Sequence, residues 1–342
     1  MLNLRRGVVI EEEPLTIDVG GERRRAWADE ALLGEMRRGD EVVVNTEALD
    51  LGLGSGGFDV VHVNLTRGLG GEPGARHVMK LNYTPIQHTV EPVERSEEEF
   101  AKGGAGRMAV LVIPLHGHLA PAAWAAGRAA EGLRVGYVQT GGGALPGRIS
   151  RDVAQLRGLG ILCGHVTASP AYGGELEALS VAGALDAAAH RLGWQAAIAG
   201  PGPGMIGSAT RYGHGGMAAL ESAHAALALG LPTLLSPRLS SGDPRERHRG
   251  LSHHTESVLE LLLAGVEVPV PAGEEEAAAA VAAAAGERHA VVARQADLQG
   301  YAASGLPTRT MGRELEEDRI FFAAALAAGR GLAESAAGSR EE

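Results

Sequence analysis

Short apolar runs alternate with glycine-rich turns through the first part of the chain. Runs rich in valine and isoleucine that are bounded by glycine are typical of antiparallel strands joined by tight turns. Gly20-Gly21 and Gly39-Asp40 separate such runs, and residues 52–57 hold a longer glycine cluster. The pattern predicts a small β-barrel or curled sheet, with strands at residues 7–10, 15–19, 24–27, 41–45, 58–64, 77–83 and 89–94.

The pattern changes after residue 107. Continuous apolar runs of strand length then alternate with amphipathic helical patterns, which is typical of a parallel sheet with helices on its faces. We therefore expect an α/β fold with a mostly parallel, Rossmann-like sheet in three layers. Strands are predicted at 108–115, 134–139, 160–166, 194–199, 231–235, 266–270 and 290–294, and helices at 120–131, 151–156, 175–192, 216–229, 255–264, 274–285 and 313–328.

These two patterns define the expected domain organisation. Residues 1–95 form an N-terminal β-rich domain and residues 108–334 form the α/β domain. Between them, residues 96–107 combine a glutamate run with glycines, which indicates a linker. Residues 335–342 are expected to be a disordered tail.

The composition narrows the class of protein. A formal net charge of -11 over 342 residues disfavours nucleic-acid and anionic-membrane partners, because both need a strongly basic face. Cys163 is the single cysteine, which excludes a disulfide within the chain and fits a reducing cytoplasm. Arg5 and Arg6 are not followed by the apolar stretch of a signal peptide, and no apolar run has the length of a membrane span. We expect a soluble cytoplasmic protein and leave a homodimer open.

The segment 243–255 is the most informative part of the chain. It reads DPRERHRGLSHHT, with three arginines, three histidines and two hydroxyl residues directly before an apolar helical run. Imidazole bases and guanidinium charges at a capped helix start suit an anionic ligand or a metal. The alternative is a solvated basic loop in which Ser252 or Thr255 caps the next helix. The candidate site residues are His248, Arg249, Ser252, His253, His254 and Thr255.

The residues that follow each predicted strand are further candidates, because open α/β sheets bind ligands at the carboxyl ends of their strands. His116 and His118 follow the first strand, at a spacing that puts both side chains on one side of an extended chain. This spacing suits metal ligands, and it also suits a turn with one buried and one exposed imidazole. Gly142 and Gly143 follow the second strand, where they either expose amides to an anion or form a flexible turn.

The third and fourth strands add an acid and a glycine-rich loop. Glu175 lies near a predicted helix start, where a capping role and a catalytic role are both open. The loop after the fourth strand contains a G-x-G-x-x-G match from Gly202 to Gly207. The match does not follow the first strand, prolines stiffen it, and no ribose-binding acid ends the next strand, so NAD and FAD are unlikely ligands. A rigid amide-lined loop for a carboxylate or phosphate remains, with Gly202, Gly204, Ser208, Arg211 and His214 as candidates.

Arg313, after the last predicted strand, is one more candidate anion ligand. Walker A, G-x-S-x-G and C-x-x-C motifs are absent from the sequence, so P-loop and serine-hydrolase functions have no support. Six segments resemble the motifs of an uncharacterised bacterial domain family of actinobacterial and firmicute type: 115–121, 142–146, 173–178, 202–204, 248–255 and 310–313. The octet His-Arg-Gly-x-Ser-His-His-Thr at 248–255 is its specific part. The resemblance spans nearly the whole chain and implies a shared architecture without an activity. His118 departs from the family pattern, which weakens a metal site built on His116 and His118.

Two functional hypotheses follow. The first is an enzyme, either a hydrolase or a transferase, that acts on a small phosphorylated or carboxylated metabolite. His116, His248 and His253 are its candidate acid–base residues. The second is a non-catalytic ligand sensor or scaffold whose β domain mediates self-association or partner contacts. A divalent metal also stays open, with His116, His118 and His254 as candidate ligands.

The shared edge of a parallel sheet gives a geometric expectation. All strands of such a sheet end on one side, so loops that are distant in sequence become neighbours. We therefore expect His116, Gly142, Gly202 and His253 to line one pocket.

Overall fold

The computed structural model describes residues 1–53, 56–71, 76–94, 108–208 and 210–338, which divide into two compact units, 1–91 and 92–342. The linker predicted at 96–107 lies outside the described residues. The boundary falls at Pro92 because Pro92 pairs with Glu177 and the Glu94 carboxylate accepts hydrogen bonds from the backbone of Leu179 and Ser180. Each unit is described by itself.

The first unit contains a closed five-stranded barrel, as the sequence predicts. The strands follow one another around the barrel in the order β1-β2-β3-β5-β4, and β3 pairs with β5 in parallel. Gly7 permits a close approach of β1 and β2, because a Cβ there would lie 2.5 Å from Ile17 Cγ2. The elements of this unit are β1 (Leu4–Glu11), β2 (Thr16–Val19), β3 (Glu22–Trp27), α1 (Glu30–Leu33), β4 (Glu41–Asn45), α2 (Glu47–Asp50), β5 (Asp59–Asn64), β6 (Val78–Lys80) and β7 (His88–Val90).

The core of the barrel is made of valine and isoleucine side chains that alternate with exposed positions along the strands. Val9, Ile17, Val42 and Val44 are almost fully buried. One charged pair accompanies them: Arg24 Nε donates to Asp59 Oδ2 at 2.6 Å, and both side chains are buried. A buried charge needs a partner of this kind to offset its loss of hydration.

The second unit is built on an eight-stranded parallel sheet in the order β11-β10-β9-β12-β8-β13-β16-β17. The predicted α/β class with a mostly parallel sheet is confirmed. The sheet strands are β8 (Ala109–Val112), β9 (Val135–Thr140), β10 (Gly164–Ala168), β11 (Leu176–Ala178), β12 (Ala196–Pro201), β13 (Thr233–Leu235), β16 (Glu267–Pro271) and β17 (Ala290–Arg294). Two short hairpins, β14 (Leu239–Ser240) with β15 (Gly250–Leu251) and β18 (Arg309–Thr310) with β19 (Arg313–Glu314), lie in the loops.

Helices cover both faces of the sheet, so the unit has three layers. One apolar cluster holds Val110 and Val112 of β8, and the other holds Ala109 and Leu111, because alternate side chains of a strand point to opposite faces. The helices of the first cluster are α5 (Val181–His190), α6 (Ala218–Ala228), α7 (His253–Leu261) and α8 (Glu275–Ala285), and those of the second are α3 (Leu119–Ala129), α4 (Arg151–Gly158), α9 (Leu298–Ala302) and α10 (Arg319–Gly338).

Helix α10 is the central helix of the second cluster. Gly329 allows it to pack directly on α3, since a Cβ there would lie 2.1 Å from the carbonyl oxygen of Ala122. By length and composition α10 could cross a membrane, which the sequence analysis did not foresee, with a mean hydropathy of 1.2 over its most apolar window. However, 72% of that window is buried inside the unit, as in a core helix of a soluble protein.

Three sequence predictions in this unit are wrong. The helix predicted at 175–192 begins only at Val181, because residues 176–178 pair with β10 as an edge strand. The helix predicted at 313–328 begins at Arg319, because Arg313 and Glu314 pair with β18 in a hairpin. Within the tail predicted at 335–342, α10 continues to Gly338 and Ala336 is buried, whereas residues 339–342 lie outside the described residues.

Candidate functional site

A pocket of about 880 Å³ opens at the carboxyl ends of the central strands β8, β12 and β13. The helix that follows β8 covers one face of the sheet, and the helix that follows the adjacent strand β12 covers the other. Ligands of open α/β sheets bind at such a switch point. The lining residues are Leu115, His116, Gly117, residues 202–207, Thr210, His214, Arg238, Gly242, Pro244, Arg245, Arg247, His248, His253, His254, Arg309, Thr310, Met311 and Arg313.

Four histidines form one wall of this pocket. His253 and His254 are the first residues of α7, whose N-cap Ser252 accepts a hydrogen bond from the His254 backbone. His214 lies just before the turn that leads into α6, and its ring stacks on that of His254 with centroids 3.7 Å apart. The His248 ring lies 4.7 Å from His254 and 4.9 Å from His253. The cluster thus joins the loops that follow β12 and β13.

Two buried ring nitrogens of this cluster have no hydrogen-bond partner among the described residues. His214 Nε2 donates to the Arg211 carbonyl oxygen at 3.0 Å, so the lone pair of the neutral ring is on Nδ1. That Nδ1 atom is buried and has no hydrogen-bond partner among the described residues, and the same holds for His253 Nε2. His254 Nδ1 accepts from Arg238 Nη1 at 3.1 Å. His248 Nδ1 bonds to Ser252 Oγ at 2.7 Å.

The cluster is electrically neutral at neutral pH. Burial, reinforced by the neighbouring imidazole and guanidinium charges, lowers the pKa of His253 to about 4 and that of His254 to about 2. Burial and the arginines lower the pKa of His248 to about 3. The pKa of His214 is also lowered, mainly by burial. Neutral imidazoles offer lone pairs to a proton or to a metal, in contrast to imidazolium ions.

Arginines provide the positive charge of the pocket, and Asp243 organises them. Arg245 donates to both Asp243 oxygens, at 2.9 and 2.8 Å, and Arg238 Nη2 donates to Oδ2 at 3.2 Å. Arg313 is held by Asp318 at 3.0 Å, while its buried Nη2 atom has no hydrogen-bond partner. Three guanidinium groups therefore surround two carboxylates, and a positive surplus remains.

The charge states in this arginine cluster are secure. Burial works to raise the pKa of Asp243, but the hydrogen bonds and charges of Arg245 and Arg238 hold it well below its usual range. Burial lowers the pKa of Arg238 to about 10, which still leaves the guanidinium protonated at neutral pH. The Arg238 side chain is only 2% exposed, so it is the buried end of the arginine group.

The two histidines that follow β8 behave differently. They lie in one short 3₁₀ turn and not in an extended segment, so the expected common orientation does not apply. Of the two, only His116 lines the pocket. His116 Nε2 bonds to Ser150 Oγ at 2.7 Å, and its Nδ1 lies 3.2 Å from the Pro201 carbonyl oxygen. His118 is fully buried, bonds to Ser236 Oγ at 2.8 Å and packs edge-on against Phe321.

The two glycine-rich loops have different positions: the loop after β12 lines the pocket, and the loop after β9 packs behind it. Gly202 and Gly204 line the pocket as predicted, but Gly142 does not. A Cβ at Gly142 would lie 2.2 Å from the Gly215 carbonyl oxygen, and one at Gly143 would lie 2.1 Å from that of Gly202. These two glycines therefore let the loop after β9 pack behind the loop after β12, and the expectation that Gly142 faces the ligand is wrong.

The other predicted residues mostly support the site from outside the lining. Glu175 is bound to Arg157 Nε at 2.6 Å and stands before an edge strand, so the predicted helix-start position is wrong. Arg249 makes only a long contact, 3.4 Å, to the Asp243 carbonyl oxygen. Thr255 Oγ1 accepts from the backbone of Arg238. Ser208 bonds within its own loop, and Arg211 pairs with Glu260 and supplies the carbonyl that holds His214.

Sequence reasoning missed the arginines that reach the pocket from other loops. Arg238 is a single charge within the apolar segment that follows β13, and this isolation is the signal that could have identified it. Arg245 and Arg247 belong to the segment singled out above, yet only Arg249 of its three arginines was selected. Arg309 lies beside Arg313 in the β18–β19 hairpin. The pairing of β18 with β19 brings Arg309 and Arg313 to the pocket, and the spacing of these arginines along the sequence does not predict that pairing.

Comparisons with known proteins place the chain by family alone. Among curated proteins and solved structures, none matches it. A family model for proteins of unknown function, DUF3866, matches residues 25–329, which include the whole pocket and the barrel strands β4 and β5. The motifs noted in the sequence thus occur within a recognised domain. The chain belongs to the DUF3866 family of proteins of unknown function.

Proposed function

We propose that this protein is an enzyme, a hydrolase or transferase, that acts on a small phosphorylated or carboxylated metabolite bound in the pocket. One observation carries the proposal. Five arginines and five histidines line the pocket, while no carboxylate is among the described residues that line it. An anion is the ligand that offsets this charge, and guanidinium groups bind phosphate and carboxylate oxygens in pairs.

The pocket contains separate groups for binding and for proton transfer. The proposed anion ligands are Arg245, whose side chain is 45% exposed, and Arg313, whose Nη2 atom makes no hydrogen bond and lies 3.7 Å from Asp243 Oδ2. His248 is the proposed general base. Ser252 holds its Nδ1 atom in a fixed orientation, which leaves Nε2 to accept a proton from a water or hydroxyl nucleophile. Burial and the arginines lower the pKa of His248 to about 3, so the negative charge of the bound anion has to raise that pKa before the imidazole acts as a base at neutral pH.

His116 is not part of this proposal. Both of its ring nitrogens are engaged by Ser150 and Pro201, so a proton transfer would first have to break one of these contacts. We assign the reaction to a soluble, cytoplasmic bacterial protein. The buried position of α10 and the single cysteine support this assignment.

Binding of inorganic phosphate tests the anion site directly. In EDTA-treated protein, calorimetric titration with phosphate should give one site, and Arg245→Gln should weaken it at least about tenfold, because a charge-assisted hydrogen bond is lost. Arg330→Gln on α10 is the matched control: its side chain is 47% exposed and pairs with Glu334, yet it is not among the pocket-lining residues. Equal phosphate affinity in the two variants would overturn the site.

Turnover distinguishes the enzyme from the alternative, a non-catalytic sensor. A panel of phosphate monoesters and carboxylate esters should contain compounds that the protein converts, and His248→Gln should abolish the conversion while phosphate still binds. If phosphate binds but every panel compound is recovered unchanged, the enzyme is rejected and the sensor function is favoured.

A further inference from the structure

We infer that His214, His253 and His254 form a binding site for one first-row transition metal ion of the zinc type at the edge of the anion pocket. The inference deepens the proposed function and rests on it for the role of the ion, although binding of the ion itself can be tested alone. Of the metal ligands predicted from the sequence, His116, His118 and His254, only His254 belongs to this set. His214 comes from the loop that follows β12, and His253 and His254 come from the start of helix α7, which follows β13.

The convergence of the three side chains is the first observation. Each offers one ring nitrogen, and these three atoms lie within 4.8 Å of one another. In a tetrahedral zinc site with zinc–nitrogen distances of about 2.0–2.1 Å, the nitrogens are separated by about 3.4 Å. The ring centroids lie 3.7 to 5.2 Å apart, and the stacked rings of His214 and His254 have to turn out of their parallel arrangement for both lone pairs to point at one ion.

The unused lone pairs are the second observation. Buried polar atoms without partners are rare and costly in proteins, yet His214 Nδ1 and His253 Nε2 both lack one. The Arg211 carbonyl that holds His214 Nε2 has the role of the outer-shell acceptor found behind metal-ligating histidines, which fixes the tautomer with Nδ1 free. A metal ion is the partner that satisfies both atoms at once.

A small space beside Gly216 is common to two of the ligands. A Cβ at Gly216 would lie 3.0 Å from His214 Nδ1 and 3.2 Å from His254 Nδ1. The absence of a side chain there leaves both nitrogens accessible from one point. The backbone of Gly216 is not in the left-handed region, so the glycine is not required by the chain conformation.

Arg238 is the group that an ion must displace. Its Nη1 donates to His254 Nδ1 at 3.1 Å, so the ion would take over this lone pair. Asp243, which is bonded to Nη2 of the same guanidinium, offsets the positive charge next to the ion. The displaced Nη1 atom can then bind an anion at the metal. Three histidine ligands leave a coordination position for that anion or for a water whose pKa the ion lowers.

Zinc binding without any anion is the direct test. Protein purified without an affinity tag and stripped with EDTA should take up one Zn²⁺ per chain in calorimetric titration, and Co²⁺ should give the visible absorption of a tetrahedral nitrogen site. Sub-stoichiometric uptake of Zn²⁺, Co²⁺, Ni²⁺ and Cu²⁺ would overturn the inference.

Two glycine-to-alanine variants localise the ion. Gly216→Ala places a methyl group against both Nδ1 atoms and should weaken Zn²⁺ binding by at least about 10–100-fold, the loss that even an outer-shell change causes. Gly207→Ala is the matched control, because it lines the same pocket and its Cβ would make an ordinary contact, 3.5 Å, to His214 Cβ. His253→Ala gives the same loss without adding an atom. Wild-type affinity in both Gly216→Ala and His253→Ala would overturn the site.

The metal and the anion can fail independently. Phosphate titration in EDTA reports on the arginines alone, and Zn²⁺ titration without phosphate reports on the histidines alone. If Zn²⁺ binds and phosphate does not, the metal site stands and the anion function falls. If phosphate binds and Zn²⁺ does not, the present inference falls and the proposed function stands.

Discussion

Two histidines of the α/β unit, His116 and His248, each bond through one ring nitrogen to a serine, but they differ in the contacts of the other ring nitrogen. His116 bonds to Ser150 and His248 bonds to Ser252, each at 2.7 Å, and both serines are N-caps of helices. The second nitrogen of His116 meets the Pro201 carbonyl oxygen, whereas the second nitrogen of His248 has no hydrogen-bond partner among the described residues. A histidine at the ligand-binding edge of a sheet is therefore a functional candidate only if one nitrogen remains available.

The largest difference in the free energy of unfolding is expected between the single variants His116→Ala and His248→Ala. His116→Ala removes two buried hydrogen bonds, to Ser150 and to Pro201, so we expect the free energy of unfolding to fall by about 3 kcal/mol. His248→Ala removes one such bond, to Ser252, and a loss of about 1 kcal/mol is expected. Urea unfolding followed by far-UV circular dichroism measures both. Equal losses would show that His248 is as structural as His116.

The two capping serines sharpen the comparison at a smaller scale. Ser150→Ala and Ser252→Ala each remove an N-cap, which costs about 1 kcal/mol. Each change also leaves a buried imidazole nitrogen without its serine partner, His116 Nε2 or His248 Nδ1, which adds about 1 kcal/mol. The same unfolding experiment should therefore give similar losses for the two variants. A much smaller loss for Ser252→Ala would mean that the His248 contact contributes less to the fold than the His116 contact.

His118 extends the comparison to a histidine with one bonded nitrogen and one buried, unpartnered nitrogen. Burial, with a contribution from Arg238, lowers its pKa from 6.5 to about 3. Between these values the unfolded chain binds the proton and the native protein does not, so stability falls as the pH falls below 6.5. His118→Asn, which can keep the bond to Ser236, should remove about 1 kcal/mol per pH unit of this slope.

The free energy of unfolding of the wild type and of His118→Asn, measured from about pH 3 to about pH 8, tests that effect. The curves should run parallel above about pH 7.5, where the histidine is neutral in both states. A wild-type slope that persists unchanged in His118→Asn would mean that other groups, and not His118, cause the acid sensitivity.

The sequence predicted the sheet well because each central strand is a continuous apolar run. The strand at 290–294 was predicted with its observed bounds, and the barrel strand at 41–45 likewise. The failures occur where tertiary pairing overrides local pattern: Leu176–Ala178 joins the sheet edge, and Arg313 enters a hairpin. The local sequence of Leu176–Ala178 or around Arg313 does not indicate these strand pairings.

The site was predictable in position but not in detail. The strand-end rule correctly brought His116, Gly202 and His253 to one pocket. The state of each ring nitrogen depends on residues far away in sequence, such as Pro201 for His116 and Arg211 for His214. The same holds for Gly142, whose contact with Gly215 makes it a packing residue.

We propose that the imidazoles and the arginines of one pocket bind a metal ion and an anion side by side. Diffraction from crystals grown with zinc and arsenate, recorded at the absorption edges of both elements, tests it most directly. We expect a zinc peak among His214, His253 and His254 and an arsenic peak beside Arg245 and Arg313. Zinc and arsenic peaks confined to places outside this pocket, or no peaks at all, would contradict it.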